Sequence, residues 1–441
     1  MSTNRSTRRQ FLGRATSASV GAFGLPYFVP ASALGKAGTV APSNRIVMGC
    51  IGTGGQGTGN MKRFMGSEGV QVVAVCDVDM ERRNRAREIV NKKYGNRDCK
   101  AYNDFRELVA QKGINAVSIG TPDHWHALTS IAAAKAGMDI YCEKPLANSV
   151  GEGRAICDAA KQNNVILQNG SHERSNSKVR FACELVRNGR IGELKTVRIN
   201  LPCSDGHHKK AQEMNKAPQA TMPVPEGFDY DMWLGHTPKA PYTKNRCHFW
   251  WRFILSYGGG EMTDRGAHVI DLAQLGMNAD DTGPVEIRAK GTHSTTGLYD
   301  AFFDYKFENV YANGVRMIGS TEGPRGLKFE GSEGWIFIHV HGGKLEAKPA
   351  SMLKETTWAD QKVHLGRATS HQQNFLDAVR TKKPPFATAE IGHRTASICH
   401  LNNIAMLVGR DLKWDPKKEQ VAGGDQANKL LTPKMRAPWH L

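Results

Sequence analysis

The chain has 441 residues, 40% hydrophobic and 23% charged, which describes an ordinary folded protein of two or three domains and excludes a fibrous or disordered one. Its formal charge of +17 raises the question of nucleic acid, but acids are interleaved with bases along most of the chain. No zinc finger, basic zipper or RNA-binding signature accompanies them, so no nucleic-acid partner is expected, and no interior stretch approaches the ~20 apolar residues that span a bilayer.

The first segment reads as an export signal. Thr7-Arg8-Arg9-Gln10-Phe11-Leu12 is a twin-arginine pattern, followed by a mildly apolar stretch from Ala15 to Val29 and an A-x-A cleavage site at Ala31-Ser32-Ala33. Residues 1–33 are expected to form the signal and 34–43 a linker, placing the protein in the periplasm or otherwise outside the cytoplasm. Arg5, Arg8, Arg9 and Arg14 carry four of the seventeen surplus charges, so removal leaves +13. Whether the signal is cleaved or kept as an anchor is open. The nine cysteines include no C-x-x-C pair and show no regular spacing, which predicts buried free thiols and no disulfide framework.

From residue 44 to 170 strands alternate with helices. Apolar runs at Arg45–Ile51, Val70–Cys76, Ile114–Gly120, Met138–Cys142 and Val165–Gln168 read as strands, with helices at Glu81–Lys93, after Asp104, and around Leu128–Ala136. That alternation predicts a parallel sheet covered on both faces. The first strand ends in Gly52-Thr53-Gly54-Gly55-Gln56-Gly57, a G-x-G-x-x-G that opens a helix, and Asp77 follows twenty residues after the last glycine. Gly52 permits the tight turn, Gly54 lets backbone approach a pyrophosphate, and Gly57 lets helix and strand pack closely. The helix N-terminus supplies amides for the phosphates, and Asp77 accepts from the ribose hydroxyls, favouring NAD over NADP. Arg82 and Arg83 weaken that preference.

Two further strand ends should face the same cofactor, because ligands bind beyond the carboxyl ends of parallel strands. They are Thr121-Pro122-Asp123-His124-Trp125-His126 and Glu143-Lys144-Pro145. His124 and His126 form an H-x-H, but no further ligands follow at suitable spacing, and no metal is expected.

Glu143-Lys144-Pro145 resembles the E-K-P motif of the Gfo/Idh/MocA oxidoreductases, and Thr121-Pro122-Asp123 with His126 is similar to that family's T-P-N/D-x-x-H segment. Gly258-Gly259-Gly260 with Asp264, Gly266, His268 and Asp271 resembles its G-G-G-x-x-x-D-x-G-x-H-x-x-D segment. The resemblance runs from Arg45 to about Leu441. It implies an α/β protein in which a Rossmann NAD(P)-binding domain (44–170) precedes an α+β domain (171–441) with an open-faced, largely antiparallel sheet. That sheet often builds an oligomer interface, so a homo-oligomer, dimer or tetramer, is expected. By the same resemblance Lys144, Asp264 and His268 match the catalytic residues, and Thr121, Pro122, His126, Glu143 and Lys144 border the cofactor.

The downstream sequence supports the second domain on its own. Val285–His293, Ala301–Phe307, Gly314–Ser320, Leu327–Glu330 and Trp335–Val340 are successive strand candidates, with helices at Val179–Asn188, His371–Thr381 and His393–Gly409. Residues 203–226 read as a long surface loop. His339 and His341 would share one face of a strand, as solvated or core histidines. On a helix, Asp264 and His268 stand one above the other, so a base with an ordinary pKa near 6.5 sits beside a carboxylate. Such a base takes a hydroxyl proton as hydride leaves the carbon, and Lys144 stabilises the developing alkoxide. Arg174, His248 and Arg252 are further substrate candidates; Trp250 and Trp251 offer faces for a sugar ring.

Together these features predict an exported enzyme moving hydride between a sugar or cyclic polyol and a tightly bound NAD, with NADP possible. Free nicotinamide nucleotide is not expected outside the cytoplasm, so the bound cofactor must be regenerated in place. Two alternatives stand beside this reading. One is an NAD-dependent glycosidase or epimerase that oxidises its sugar transiently, as in α-N-acetylgalactosaminidases whose twin-arginine signals this chain's resembles. The other is a nucleotide-retaining binding protein without chemistry.

Overall fold

The structure is a computed structural model that describes residues 44–204, 206–354 and 362–441; the expected signal and linker lie outside them. The first sheet is assembled from β1 (Ile46–Ile51), β2 (Val70–Cys76), β3 (Lys100–Tyr102), β4 (Ala116–Ile119), β5 (Asp139–Cys142) and β6 (Leu167–Asn169). Its order is β3-β2-β1-β4-β5-β6, all parallel. The helices between the strands are α1 (Gly55–Met65), α2 (Met80–Tyr94), α3 (Phe105–Val109), α4 (His126–Lys135) and α5 (Val150–Gln162). β4 and β5 are buried along their whole length, the pattern of strands covered on both faces.

Strand order reverses between β1 and β4, where the crevice of an open parallel sheet forms. There the chain comes closer to itself than any side chain allows. A Cβ on Gly57 would stand 1.9 Å from the Gly52 carbonyl oxygen, and one on Gly120, at the end of β4, would stand 2.7 Å from the Gly57 Cα. Gly52 itself turns with φ +80°, a conformation that favours glycine.

The second sheet has nine strands among the described residues, in the order β13-β12-β11-β7-β10-β9-β8-β14-β15. They are β7 (Leu194–Asn200), β8 (Glu286–His293), β9 (Phe302–Val310), β10 (Arg316–Ser320), β11 (Gly326–Gly331), β12 (Trp335–Ile338), β13 (Leu345–Lys348), β14 (Leu412–Asp415) and β15 (Gln420–Val421). Only β7 and β10 pair in parallel. One face carries the core, where Val197, Ile199, Ile287, Met317, Leu327 and Phe329 are fully buried. The other face carries an ion-pair ladder, Arg198–Glu330, Lys328–Glu330, Arg288–Glu308 and Arg316–Glu308.

The remaining helices are α6 (Ser177–Arg187), α7 (Gly206–Met214), α8 (Tyr230–Leu234), α9 (Glu261–Asp264), α10 (Gly266–Met277), α11 (His371–Thr381), α12 (Ala389–Val408) and α13 (Asp425–Leu431). Helix α10 packs on β7 and β11, while α12 lies against β8 and α5, joining the two sheets' layers. No helix among the described residues is long and apolar enough to cross a membrane. All nine cysteines are free and buried, as their spacing predicts.

Two expectations are corrected. Residues 203–226 are not one loop, because α7 occupies Gly206–Met214 and buries His208 and Ala211. Strand β12 stops at Ile338, and the chain turns through His341 with φ +68°, so His339 and His341 do not share a strand face.

An ion-pair clamp ties α5 to α12. Both Arg154 terminal nitrogens lie 2.9 Å from Glu390 carboxylate oxygens, and the same guanidinium donates to Glu419 at 2.7 and 3.1 Å. Burial pushes both carboxyls up, but hydrogen bonds and charge from Arg154, His393 and Arg394 outweigh it and hold each at about 2. Because the folded pKa lies below the ordinary value near 4.5, this stabilisation is complete above that pH and is lost as pH falls toward 2. The Arg154→Met variant should therefore melt below the wild type at pH 7, with the difference in Tm shrinking steadily between pH 4.5 and 2 in calorimetric scans; a constant difference would refute the assignment.

Candidate functional site

The carboxyl ends of β1, β2, β4 and β5 and the start of α10 border one cavity of about 540 Å³. At one end, α1 begins at Gly55 with no capping side chain and no acidic residue in its first turn. Its free amides and partial positive charge suit a phosphate group. Asp77, at the end of β2, accepts from the Thr53 N–H at 2.7 Å and its hydroxyl at 3.2 Å, and its other oxygen accepts from the Asp79 N–H at 3.0 Å. Burial raises its pKa, while these amides and Arg82 oppose the rise. Oδ1, which accepts only the Asp79 N–H, keeps a lone pair for a ribose hydroxyl. These residues fit NAD. Arg82 lines the same end, with its Nη1 2.9 Å from where a Gly54 Cβ would lie.

At the other end, Lys144 donates to Asp264 twice, at 2.8 Å to the side-chain Oδ1 and at 2.8 Å to the backbone carbonyl. An ammonium has three N–H groups, which leaves one for a ligand. Burial pushes the Asp264 carboxyl up, but the Lys144 ammonium, His207 and Arg252 hold it well below the usual range. His207 Nε2 and Arg252 Nε each lie 3.6 Å from this carboxylate. The Arg252 guanidinium also sits over the Phe249 and Trp251 rings at 4.6 and 4.5 Å. Aromatic faces beside a cation are a surface suited to a hydroxylated ring.

His268, four residues beyond Asp264, is 5% exposed and lines the cavity. Burial, with the charges of Lys144, His172 and His341, lowers its pKa well below 6.5, so the imidazole is neutral and able to accept a proton. Asp123 shifts the opposite way, raised well above its ordinary value by burial against the opposing pull of Lys144 and Arg252.

Of the residues expected from sequence, Gly52, Gly54, Gly55, Gln56, Asp77, Thr121, Pro122, Glu143, Lys144, His248, Arg252, Asp264 and His268 all line this cavity. Thr53 and Gly57 stand behind it, one holding Asp77 and the other allowing α1 to close on β1. Glu143 is held by Asn60 at 2.7 Å and Gln56 at 3.1 Å. His126 is corrected: it is enclosed, with its ring nitrogens 2.8 and 3.1 Å from the Pro145 and Thr121 carbonyls, one of which takes its single N–H, and it does not border the cavity. His124 is likewise structural, bonded to the Trp233 carbonyl and lowered by burial to about 3.

Arg174 is corrected as well. It is 1% exposed and locked to Asp271 at 2.7 Å and Asp280 at 2.6 Å, with no reach to a substrate. His248, also expected to contact substrate, lines the cavity with its Nδ1 4.0 Å from Asp79. His172 and His207 were missed. His172 follows β6 directly, so the strand-end rule that finds Thr121 and Lys144 points to it too, whereas His207 was hidden by reading α7 as loop.

Residues 46–171 match the family model described as "Oxidoreductase family, NAD-binding Rossmann fold" and residues 175–441 the one described as "Oxidoreductase family, C-terminal alpha/beta domain", both of the Gfo/Idh/MocA group. The levoglucosan dehydrogenase of Pseudarthrobacter phenanthrenivorans is 30% identical over 262 residues, 54% of this chain and 56% of that protein. The α-N-acetylgalactosaminidase of Shewanella oneidensis is 34% identical over 172 residues, 37% of each chain. The match thus spans about half or less of these relatives' length. Among solved structures, the WlbA dehydrogenase from Bordetella pertussis in complex with NADH and UDP-GlcNAcA shares the fold with TM-score 0.62 at 15% identity, covering 84% of this chain and 99% of that one. A levoglucosan dehydrogenase in complex with NADH aligns with TM-score 0.57 at 19% identity, covering 83% and 98%.

Two substitutions separate recognition from support. Asp77→Ser should lower NAD affinity and raise NADP affinity, changing their ratio by at least about tenfold, ~1.4 kcal/mol, in a fluorescence titration; an unchanged ratio would remove Asp77 as the ribose reader. Arg174→Met should cost about 3–5 kcal/mol in denaturant unfolding, because it strands the buried Asp271 charge, while leaving NAD affinity in place.

Proposed function

The chain belongs to the Gfo/Idh/MocA oxidoreductase family, and from that we propose that it transfers hydride between a hydroxyl-bearing carbon of a sugar or cyclic polyol and NAD. The observation that carries this reading is the convergence, in one cavity, of an open helix N-terminus with Asp77 and of Lys144, Asp264 and neutral His268. NAD, when bound, supplies the hydride acceptor or donor. Everything else is done by the chain. The Gly52–Gly57 turn, Thr53 and Asp77 fix the dinucleotide end. Arg252, with Phe249 and Trp251, presents a face and hydrogen bonds to the ring. His268 takes the hydroxyl proton as the carbon loses hydride, and returns it in the reverse direction. The free N–H of Lys144 binds the oxygen on which negative charge grows, and Asp264 holds that ammonium in place.

The twin-arginine pattern of residues 7–12 supports export of the folded, cofactor-loaded protein, and a tightly held NAD follows from that compartment. The open face of the nine-stranded sheet, lined by ion pairs, supports a homo-oligomer. The α-N-acetylgalactosaminidase relative favours one second reading, transient oxidation that acidifies the neighbouring carbon and ends in glycoside cleavage. The same proton-handling residues serve both.

Lys144→Ala and His268→Ala should each lower turnover by about 10²–10⁴ while NAD remains bound, followed through the nicotinamide absorbance on adding sugars. Undiminished turnover in both variants would sink the proposal. With glycosides, sugar release and deuterium uptake at the carbon beside the oxidised one, without net NADH, would select the second reading; NADH accumulation without exchange would select simple dehydrogenation.

A further inference from the structure

His172 and His268 line the cavity, Glu173 and His341 stand directly against them, and the hydride-transfer scheme uses only His268. His172 and Glu173 lie on the short turn His172–Ser175 that leaves β6, and His341 comes from the left-handed turn after β12. Glu173 Oε1 is 3.1 Å from His341 Nδ1 and 3.5 Å from His172 Nε2, and the ligand atoms of all three residues lie within 4.8 Å of one another. Bonds of about 2.0–2.1 Å in a tetrahedral site set neighbouring ligand atoms about 3.3 Å apart, so the set is spaced to close on a single ion with a small adjustment of one imidazole.

The ligand chemistry agrees with the spacing. Two imidazoles and one carboxylate are the donor set of an open divalent transition-metal site, with three protein ligands and a position left over. Glu173 is 6% exposed, and its second oxygen accepts from Asn176 Nδ2 at 3.2 Å, which orients the carboxylate. Arg174 turns away to Asp271 and Asp280, and the Lys144 ammonium is engaged by Asp264, so neither cation is paired with this carboxylate. The His268 ring stands 4.8 Å, centroid to centroid, from both His172 and His341, and its Nδ1 is buried with no hydrogen-bond partner. A water carried at the open position is the kind of partner that nitrogen lacks. The second cluster, His207 and His208 with Asp264, is weaker, because Asp264 already answers Lys144 and Arg252.

We propose that His172, Glu173 and His341 form a binding site for a divalent transition-metal ion of the zinc class, placed where its open position faces the cavity beside His268. The ion binds whether or not the sugar reading is right. What it would touch rests on that reading: a pair of oxygens on the substrate, a vicinal diol or a hydroxy-carboxylate, held next to the reacting carbon.

The test uses the full, untagged chain, stripped with a chelator, with no sugar and no added cofactor. Titration with Zn²⁺ by calorimetry, and with Co²⁺ by its visible d–d absorption, should give one ion per chain and a nitrogen-ligated, low-symmetry spectrum. Glu173→Gln and His341→Ala should each weaken Zn²⁺ binding by at least about tenfold, whereas His440→Ala, on the exposed C-terminal segment, should not. NAD binding and thermal unfolding verify that each variant is folded, and His172→Gln replaces any that is not. Substoichiometric binding, or binding that survives in the folded Glu173 and His341 or His172 variants, overturns the site. A stoichiometric ion in a protein that oxidises no sugar would uphold the site and remove only the sugar reading.

Discussion

The ion pair between Lys144 and Asp264 joins the end of a Rossmann strand to the helical segment beneath the second sheet, and most of the cavity is arranged around it. With two bonds to one residue, the ammonium is fixed in direction as well as in charge. The pair is mostly enclosed, with side chains 16% and 18% exposed, so its strength depends on how little water reaches it. Around it, His207 and Arg252 approach the same carboxylate, and His268 is held neutral partly by the same ammonium. Moving one partner would therefore disturb His268, the Lys144 ammonium and the Arg252 guanidinium together.

A second constraint is steric. The carboxyl ends of β1 and β4 and the start of α1 meet through Gly52, Gly57 and Gly120, at separations that no Cβ tolerates. This contact sets how deep the crevice is at the reversal of strand order, and so how far the Asp77 end lies from the Lys144 end. The Asp77 and Lys144 strand ends thus belong to one sheet, whereas Asp264 and His268 reach the cavity from α9 and α10. The Arg154 clamp then fixes the second layer against the first from the opposite side of α5.

Much of this was legible before any coordinates. Period, glycine spacing and strand-end position locate Asp77, Thr121 and Lys144, because those signals are local and each has one physical reading. The strands β8 to β12 were also legible, since most alternate apolar with polar residues and are separated by Gly and Asn turns. What was not legible depended on partners distant in sequence. Arg174 looks like a site residue until Asp271 and Asp280, about a hundred positions later, are seen to consume it. His126 sits in a recognisable motif but is enclosed between the Pro145 and Thr121 carbonyls. α7 hides in a polar, Lys-rich stretch whose buried His208 contacts Glu261, and no periodicity announces that pairing. His341 reads as the continuation of an apolar strand, although Gly342-Gly343 directly after it mark the turn that carries it to Glu173.

The charge of the chain also takes a different meaning at the site. The surplus of +17 is spread over the surface and the N-terminal segment, yet the chemical end of the cavity is nearly balanced. Lys144 is answered by Asp264, Asp123 is pushed up by burial, and the Glu143 carboxylate is held by Asn60 and Gln56. The imidazole of His268 is neutral, and Arg252 is left as the cation not fully matched by an adjacent carboxylate. A nearly balanced cavity with aromatic faces and several directed N–H groups favours a hydroxylated ring over a polyanion. That preference comes from the groups gathered around one ion pair, not from the charge spread over the surface of the protein.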